Sequence, residues 1–418
     1  TMINEEGGID PLEFRYHAMN DRVATTGTVW LGLTLNCANC HSHKYDPISQ
    51  KEYFGLFAFL NNADEPQLEI LGSQQQSRKA KVLEEIETLR KRRRELHGAA
   101  LSKEFSAWLA EQRGKIRRWN TVGPTSAKSN LPLLTVESDQ SIFVTGDMSK
   151  SDTYEVNFSL SGPVHALRLE VLPDERLPGR GPGRVYYEGP EGDFFLSEFS
   201  LLVDGKKVPI QKAEGSFSSG GNNPARAIDG DQQTGWSING GQGKPHQAIF
   251  LLEKPITGTT GQVRLLFEKY YAAGLGRFRL SVSPDAGPIQ PGTLPVELEA
   301  VVLGDAASMK PADRDRLLDR FLDTAKPAEK ETKAIRDQEK QLPSPQRTLV
   351  LQERPRENPR PTFVHHRGEF LQPTEKVEPF VPAALHVFPP DREKNRLEFA
   401  RWLVAPENPL MSRVTVNR

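Results

Sequence analysis

Cysteine is nearly absent from this sequence: among 418 residues there are two, Cys37 and Cys40. That excludes a disulfide framework, which needs several pairs. An excess of one charge is missing too, because 54 lysines and arginines face 55 aspartates and glutamates, so no global field draws the chain to nucleic acid or to a membrane surface. No apolar run approaches the roughly 20 residues that a membrane-spanning helix requires. The catalytic signatures that can be read from sequence are also missing: there is no HExxH, no nucleophile elbow and no carboxylate pair that can be placed across a cleft. Thr1 to Pro11 has neither the basic start nor the apolar core of a signal peptide.

What the chain does have is the spacing of its two cysteines. Cys37-Ala38-Asn39-Cys40-His41 is a CxxCH arrangement, the attachment signal of a c-type haem. Two thiols three positions apart can each form a thioether with one vinyl group of the same porphyrin, and the adjacent imidazole reaches the iron. Cys37 and Cys40 would tether the ring and His41 would be the proximal ligand. Other readings stay open: a redox disulfide, a zinc site using Cys37, Cys40 and His41 or His43, or two inert thiols. A sixth iron ligand has two candidates upstream, His17 and Met19, and an open distal position is equally compatible with the sequence. His43 reads as a hydrogen-bonding partner of a propionate or of the backbone, or as simply exposed.

Around the motif the pattern is helical. Leu12, Tyr16 and Met19 recur on one face of a helix over Asp10 to Arg22. Ser49 and Glu52 fit a capping box that starts a second helix, with Tyr53, Leu56, Phe57 and Leu60 on one side and an end near Asn61-Asn62. Further on, Ser77 to Lys115 is charged and helical, and Lys91-Arg92-Arg93-Arg94 reads as a solvated face rather than an RNA site. A second charged stretch, Pro311 to Gln341, is expected to pair with it as an antiparallel coiled-coil stalk.

Between these stretches the period changes to two. Runs such as Tyr154 to Leu160, Ala166 to Val171, Phe195 to Val203, Gln247 to Leu252, Val263 to Glu268 and Phe278 to Val282 alternate between glycine, proline and aspartate turns. They predict an inserted β-sandwich of jelly-roll type. Within it, Asn223 to Asp231 with Thr234-Gly235-Trp236 resembles the loop-and-strand signature of galactose-binding-like, discoidin-type domains. Asp229 and Asp231 flank a glycine, as candidate calcium ligands or as holders of the loop. Trp236 is a candidate for stacking on a sugar, or a core plug beneath the loop. Leu177 to Gly183 is either a ligand-facing loop or a linker. From Pro343 onward, prolines recur at 345, 355, 359, 361, 373, 379 and 382, which predicts an extended segment ending in a helix at Arg392 to Leu403. His365 and His366 read as surface or interface residues.

Two stretches carry a family resemblance. The first runs from Asp21-Arg22-Val23 through Thr25 to Thr34, Cys37 to His41, and His43-Lys44-Tyr45-Asp46-Pro47-Ile48-Ser49-Gln50. The second takes in Arg360-Pro361-Thr362, Arg367 to Leu371, Asn395-Arg396-Leu397, Ala400 to Leu403, Pro406 to Leu410 and Arg413 to Arg418. Together they resemble the central domain and the opening of the last domain of large secreted multidomain proteins of planctomycete bacteria, named for a planctomycete-type cytochrome c domain. The resemblance implies a haem-bearing exported protein, often encoded beside sulfatases and polysaccharide-degrading enzymes, with further domains at both ends.

The expected architecture is therefore multidomain α+β. It has a small helical cytochrome-c-like segment over 1–66, a charged stalk helix over 67–118, a galactose-binding-like sandwich over 119–303, a second stalk helix over 304–342, and a proline-rich segment opening a truncated domain over 343–418. The expected function is electron transfer by a periplasmic or extracellular haem c protein. Its partners would be a redox protein and polysaccharide, with no nucleic acid and no membrane span. The alternative is a non-redox carbohydrate-binding or scaffold protein.

Overall fold

The computed structural model describes residues 10–65, 67–70, 72–149, 151–185, 189–270, 273–286, 291–292, 294–304, 308–343, 346–354, 356 and 359–417. Pro345 and Pro355 of the proline series, Arg418 of the C-terminal resemblance and most of Thr1 to Pro11 lie outside the described residues. The chain divides into two compact units, Thr1–Pro66 with Leu349–Arg418, and Gln67–Thr348.

The first unit is built from the two ends of this sequence. Asp10 caps the helix Pro11–Thr26, its carboxylate accepting from the Leu12 amide at 2.9 Å, and Pro11 occupies the first turn, where no amide is needed. Tyr16, Met19 and Val23 turn inward from it. The helix Gln50–Asn61 opens with the capping box that Ser49 and Glu52 predict: the Glu52 amide donates to Ser49 Oγ, and the Ser49 amide donates to Glu52 Oε2 at 2.7 Å. It is buried around most of its circumference, through Tyr53, Phe54, Leu56, Phe57, Ala58 and Phe59.

The proline-spaced segment supplies the second cover. It forms a hairpin of Thr362–His365 with Pro373–Val377, then the helices Arg396–Leu403 and Met411–Asn417. Phe59 stacks on Phe399 with ring centroids 4.8 Å apart. At Gly55 the Phe380 ring comes so close that a Cβ would stand 2.7 Å from it.

In the second unit, twelve strands are numbered here in chain order: β1 Asn120–Thr121, β2 Pro124–Ser129, β3 Leu133–Val136, β4 Ile142–Thr145, β5 Asp152–Ser159, β6 Val164–Val171, β7 Glu198–Val203, β8 Lys206–Lys207, β9 Ile210–Gly215, β10 His246–Ile256, β11 Thr260–Phe267 and β12 Arg277–Ser283. A five-stranded sheet has the order β8-β7-β11-β5-β2, and a seven-stranded sheet the order β9-β10-β6-β12-β4-β3, with β1 also beside β12. All these pairings are antiparallel. Alternation decides which side of each strand is covered: Tyr154, Val156 and Phe158 of β5 enter a core shared by both sheets. Phe199 of β7 stacks on Phe250 of β10 across that core, with centroids 3.7 Å apart. The helix Val296–Leu303 lies on the outer face of the larger sheet, held there by Glu297 to Arg279 and Glu299 to Arg168.

The expected architecture needs correcting here. The described residues are mixed α/β, 36% helix and 25% strand, with most of their organisation in β-sheets, and among them there is no coiled-coil stalk. Each of the two charged stretches is broken. The first forms Ser73–His97 and Ser102–Lys115; the second forms Pro311–Leu322 and Glu329–Glu339 around a short turn at Lys326–Ala328. A coiled coil needs an unbroken apolar seam, whereas Ser73–His97 offers only Val82 and Ile86, partly joined by Leu89, to Ile335. Much of the rest of its contact is polar or ionic. Arg93, read from the sequence as part of a solvated face, is 1% exposed and reaches Asp323 at 2.8 Å, Thr332 at 2.8 Å and Asp319 at 3.2 Å. Short helices therefore gather around Phe105, Leu298, Leu317, Leu318 and Phe321.

Candidate functional site

Cys37 rides on a short 3-10 turn, Leu35–Asn39, and Cys40 follows it immediately. Leu35 and Ala38 are buried and pin the turn, while Cys37 and Cys40 are free thiols at the surface. Upstream, Gly32 reverses the chain with φ +65°. His41 is exposed, and its Nδ1 lies 2.7 Å from the Ser42 carbonyl oxygen. A carbonyl can only accept, so Nδ1 carries the proton and Nε2 keeps its lone pair. His43 Nδ1, in turn, accepts from the backbone amide of Asp46 at 2.8 Å, which locks the turn that follows.

The underside of the motif rests on groups from far along the chain. Gln50 Nε2 donates to the Asn39 carbonyl at 2.7 Å and to the His365 carbonyl at 2.9 Å. The Tyr16 hydroxyl is within hydrogen-bond distance of Asn39 Oδ1, at 3.1 Å, and of the Gly368 carbonyl, at 3.0 Å. His365 packs against Tyr16, with ring centroids 4.6 Å apart, and its Nδ1 lies 3.1 Å from the Glu369 carbonyl. Burial lowers the His365 pKa, outweighing the hydrogen bonds to Glu369 and Phe370 that favour the charged form. Burial is also the largest influence on the Tyr16 phenol, which is raised, and the nearby Cys40 acts in the same direction.

The remaining candidates are scattered. His17 is exposed on the first helix, 3.8 Å from Glu13, while Met19 has no exposed surface. Among the described residues, no three His, Cys, Asp or Glu side chains converge as a metal cage. For a haem the donor set does fit. Two accessible thiols sit on one turn beside an imidazole whose Nε2 is free to ligate, and Nδ1 bonding to a carbonyl is the outer contact that orients metal-ligating histidines.

In the second unit, Asp229 and Asp231 organise their own loop. Asp229 Oδ1 accepts from the Asp231 amide at 2.9 Å, Thr234 Oγ1 lies within 2.9 Å of both Asp229 oxygens, and Asp231 Oδ1 accepts from the Gln233 amide at 2.9 Å. Burial works to raise the Asp229 pKa, but these bonds and Arg226 together bring it below the ordinary carboxylate range. Trp236 is fully buried, with its indole N–H donating to the Phe217 carbonyl at 3.0 Å and its ring meeting Phe194 edge-on at 5.0 Å. Leu177 is buried, and Gly183 pairs with Leu275.

Sequence reasoning missed Tyr16, Gln50 and Gly368 as builders of the CxxCH surface, and of its two readings of His365, surface or interface, the structure shows a contact with Tyr16. The one hint was that Gln50 and Gly368 fall within the two stretches that resemble one family, whereas Tyr16 and His365 lie outside them.

A family model described as PSCyt2, protein of unknown function (DUF1549), matches residues 1–65. No curated protein matches the chain. Among solved structures, the catalytic domain of a GH87 alpha-1,3-glucanase in complex with nigerose is similar at 15% identity, covering 44% of this chain with a TM-score of 0.20. A substituted form in complex with tetrasaccharides matches at 15% identity over 43%, also with a TM-score of 0.20. This chain spans 31% and 30% of those two chains. No helix among the described residues is long and apolar enough to cross a membrane.

Proposed function

We propose that this chain is an exported haem c protein that carries electrons, and that its two-sheet unit binds carbohydrate near extracellular polysaccharide. The observation supporting the first half is the surface formed by Cys37, Cys40 and His41: both thiols are free, and His41 is held with Nδ1 on the Ser42 carbonyl. Cys37 and Cys40 would form the thioethers, and His41 Nε2 would face the iron. A bound haem supplies a one-electron couple. The protein's own contribution is to hold the three donors within five residues on and just after one short turn, braced by Gln50 and Tyr16. His17 and Met19 have no part in the proposal. The periplasm or cell exterior is the expected compartment, because haem attachment of this type is made outside the cytoplasm, and the electron acceptor or donor would be a separate redox protein.

The test is expression in a periplasm that contains cytochrome maturation machinery. A denaturing gel stained for haem peroxidase activity should show a coloured band, lost in Cys37→Ser and Cys40→Ser. A colourless band for the native sequence overturns the haem reading, and stoichiometric zinc without haem would select the non-redox scaffold in its place.

A further inference from the structure

On the outer face of the seven-stranded sheet lies a cavity of about 170 Å³, well below the ~300–1,000 Å³ of sites for drug-sized ligands. At roughly 30 Å³ per water it has space for about five. Its wall combines one aromatic ring, Trp119, with the planar polar side chains of Gln112, Gln247 and Glu299, and with Lys115 and Arg117. From this combination we infer that the cavity is a binding site for a single sugar residue, the end of a polysaccharide chain. The inference rests on the carbohydrate-binding half of the proposal above and gives that half a location.

Three features support it. First, the wall is built rather than incidental. Arg168 is fully buried, its Nη1 reaches Glu299 Oε2 at 2.5 Å and Gln247 Oε1 at 3.3 Å, and its guanidinium lies 4.5 Å from the Trp119 ring centroid. One buried cation thus fixes three wall residues at once. Its Nε and Nη2 groups are buried without a partner among the described residues. Such groups are costly to leave unmade.

Second, the polar wall is not saturated. The Gln112 side-chain amide, on the helix Ser102–Lys115, has no hydrogen bond among the described residues, whereas Gln247 Nε2 is committed to the Gly292 carbonyl. A free amide beside an aromatic ring can pair with a hydroxyl as donor and acceptor together.

Third, the charges nearby are already matched, which favours a neutral polyol over an anion. Lys115 pairs with Glu111 at 2.5 Å, Arg118 with Asp285 at 2.7 Å, and Arg168 with Glu299. The buried Trp236 offers no comparable surface.

The test uses the full chain and free glucose, galactose and glucuronate, read by ligand-observed saturation-transfer NMR, together with Gln112→Ala and Trp119→Ala. Gln112→Ala removes a side chain without a protein partner, so its melting temperature should stay with the wild type. At least one neutral sugar should show transfer, weakened about tenfold or more in Gln112→Ala and abolished in Trp119→Ala. If the sugar binds and Gln112→Ala binds it equally, the cavity is not the site and the carbohydrate reading survives without it. If only glucuronate binds, the neutral-ligand assignment is overturned. If neither free sugars nor a soluble polysaccharide binds the wild type, the carbohydrate reading itself fails and the cavity holds water.

Discussion

Gly368 lies directly against Cys40: a Cβ on Gly368 would stand 3.0 Å from Cys40 Sγ and 3.1 Å from Asn39 Nδ2. The glycine has φ +71°, a conformation that side chains rarely adopt, so two independent constraints meet at one residue. Gly368→Ala should cost about 1–2 kcal/mol for the backbone alone. Urea titration would measure the loss. The same variant should show faster labelling of Cys40 by a thiol reagent, because the turn beneath it must move; an unchanged rate would refute the close contact.

Gln50 ties the motif to the C-terminal hairpin through a single amide nitrogen. Gln50→Ala should leave the capping box of Ser49 and Glu52 in place, yet release the Asn39 and His365 carbonyls together. The expected loss is about 1–3 kcal/mol, at the upper end if the two carbonyls stay dry. Hydrogen exchange should rise around Asn39 and His365 and remain unchanged at the start of the helix.

His365 makes the first unit sensitive to mild acid. Its folded pKa is lowered by burial from the ordinary histidine value of 6.5, so the unfolded chain takes up a proton first as pH falls. Stability from this group is therefore fully present above about pH 6.5 and declines as pH drops toward its folded pKa. His246 in the second unit is lowered for the same reason and contributes its own decline. Melting temperatures between pH 7.5 and 5.5 should fall for the wild type, with a shallower slope for His365→Asn. Equal slopes would remove the residue from the account.

Trp236 and Asp229 separate core from loop. Trp236→Ala should destabilise the two-sheet unit by about 3–5 kcal/mol, the usual range for emptying a large aromatic site. Asp229→Ala should cost only about 1–2 kcal/mol, the worth of a few local hydrogen bonds. Calorimetry on both would test this, and a Trp236→Ala protein with native melting would place that indole outside the core.

Local chemistry was legible in the sequence wherever its partners were close. The Ser49–Glu52 box, the alternating strand at Asp152–Ser159 and the proline-marked chain at Pro373 and Pro379 needed only neighbouring residues. Arg93 was misread because the aspartates that bury it, Asp319 and Asp323, come 226 and 230 residues later. A charged face without visible partners looks solvated. The choice between surface and interface for His365 could not be made from sequence for the same reason, since Tyr16 and Phe54, which enclose its ring, belong to the opposite end of the sequence. Trp119 carried no periodic or motif signal at all. Its setting exists only where Arg168, Gln247 and the helix Val296–Leu303 meet.

The Tyr16 hydroxyl reaches a carbonyl 352 positions away, and this spacing has a temporal side. A chain leaving the ribosome presents Cys37, Cys40 and His41 long before the hairpin that will brace them exists. During that interval the two sulfurs sit on a loose tether. Once residues 362–368 arrive, the bracing closes and the tether becomes a fixed surface.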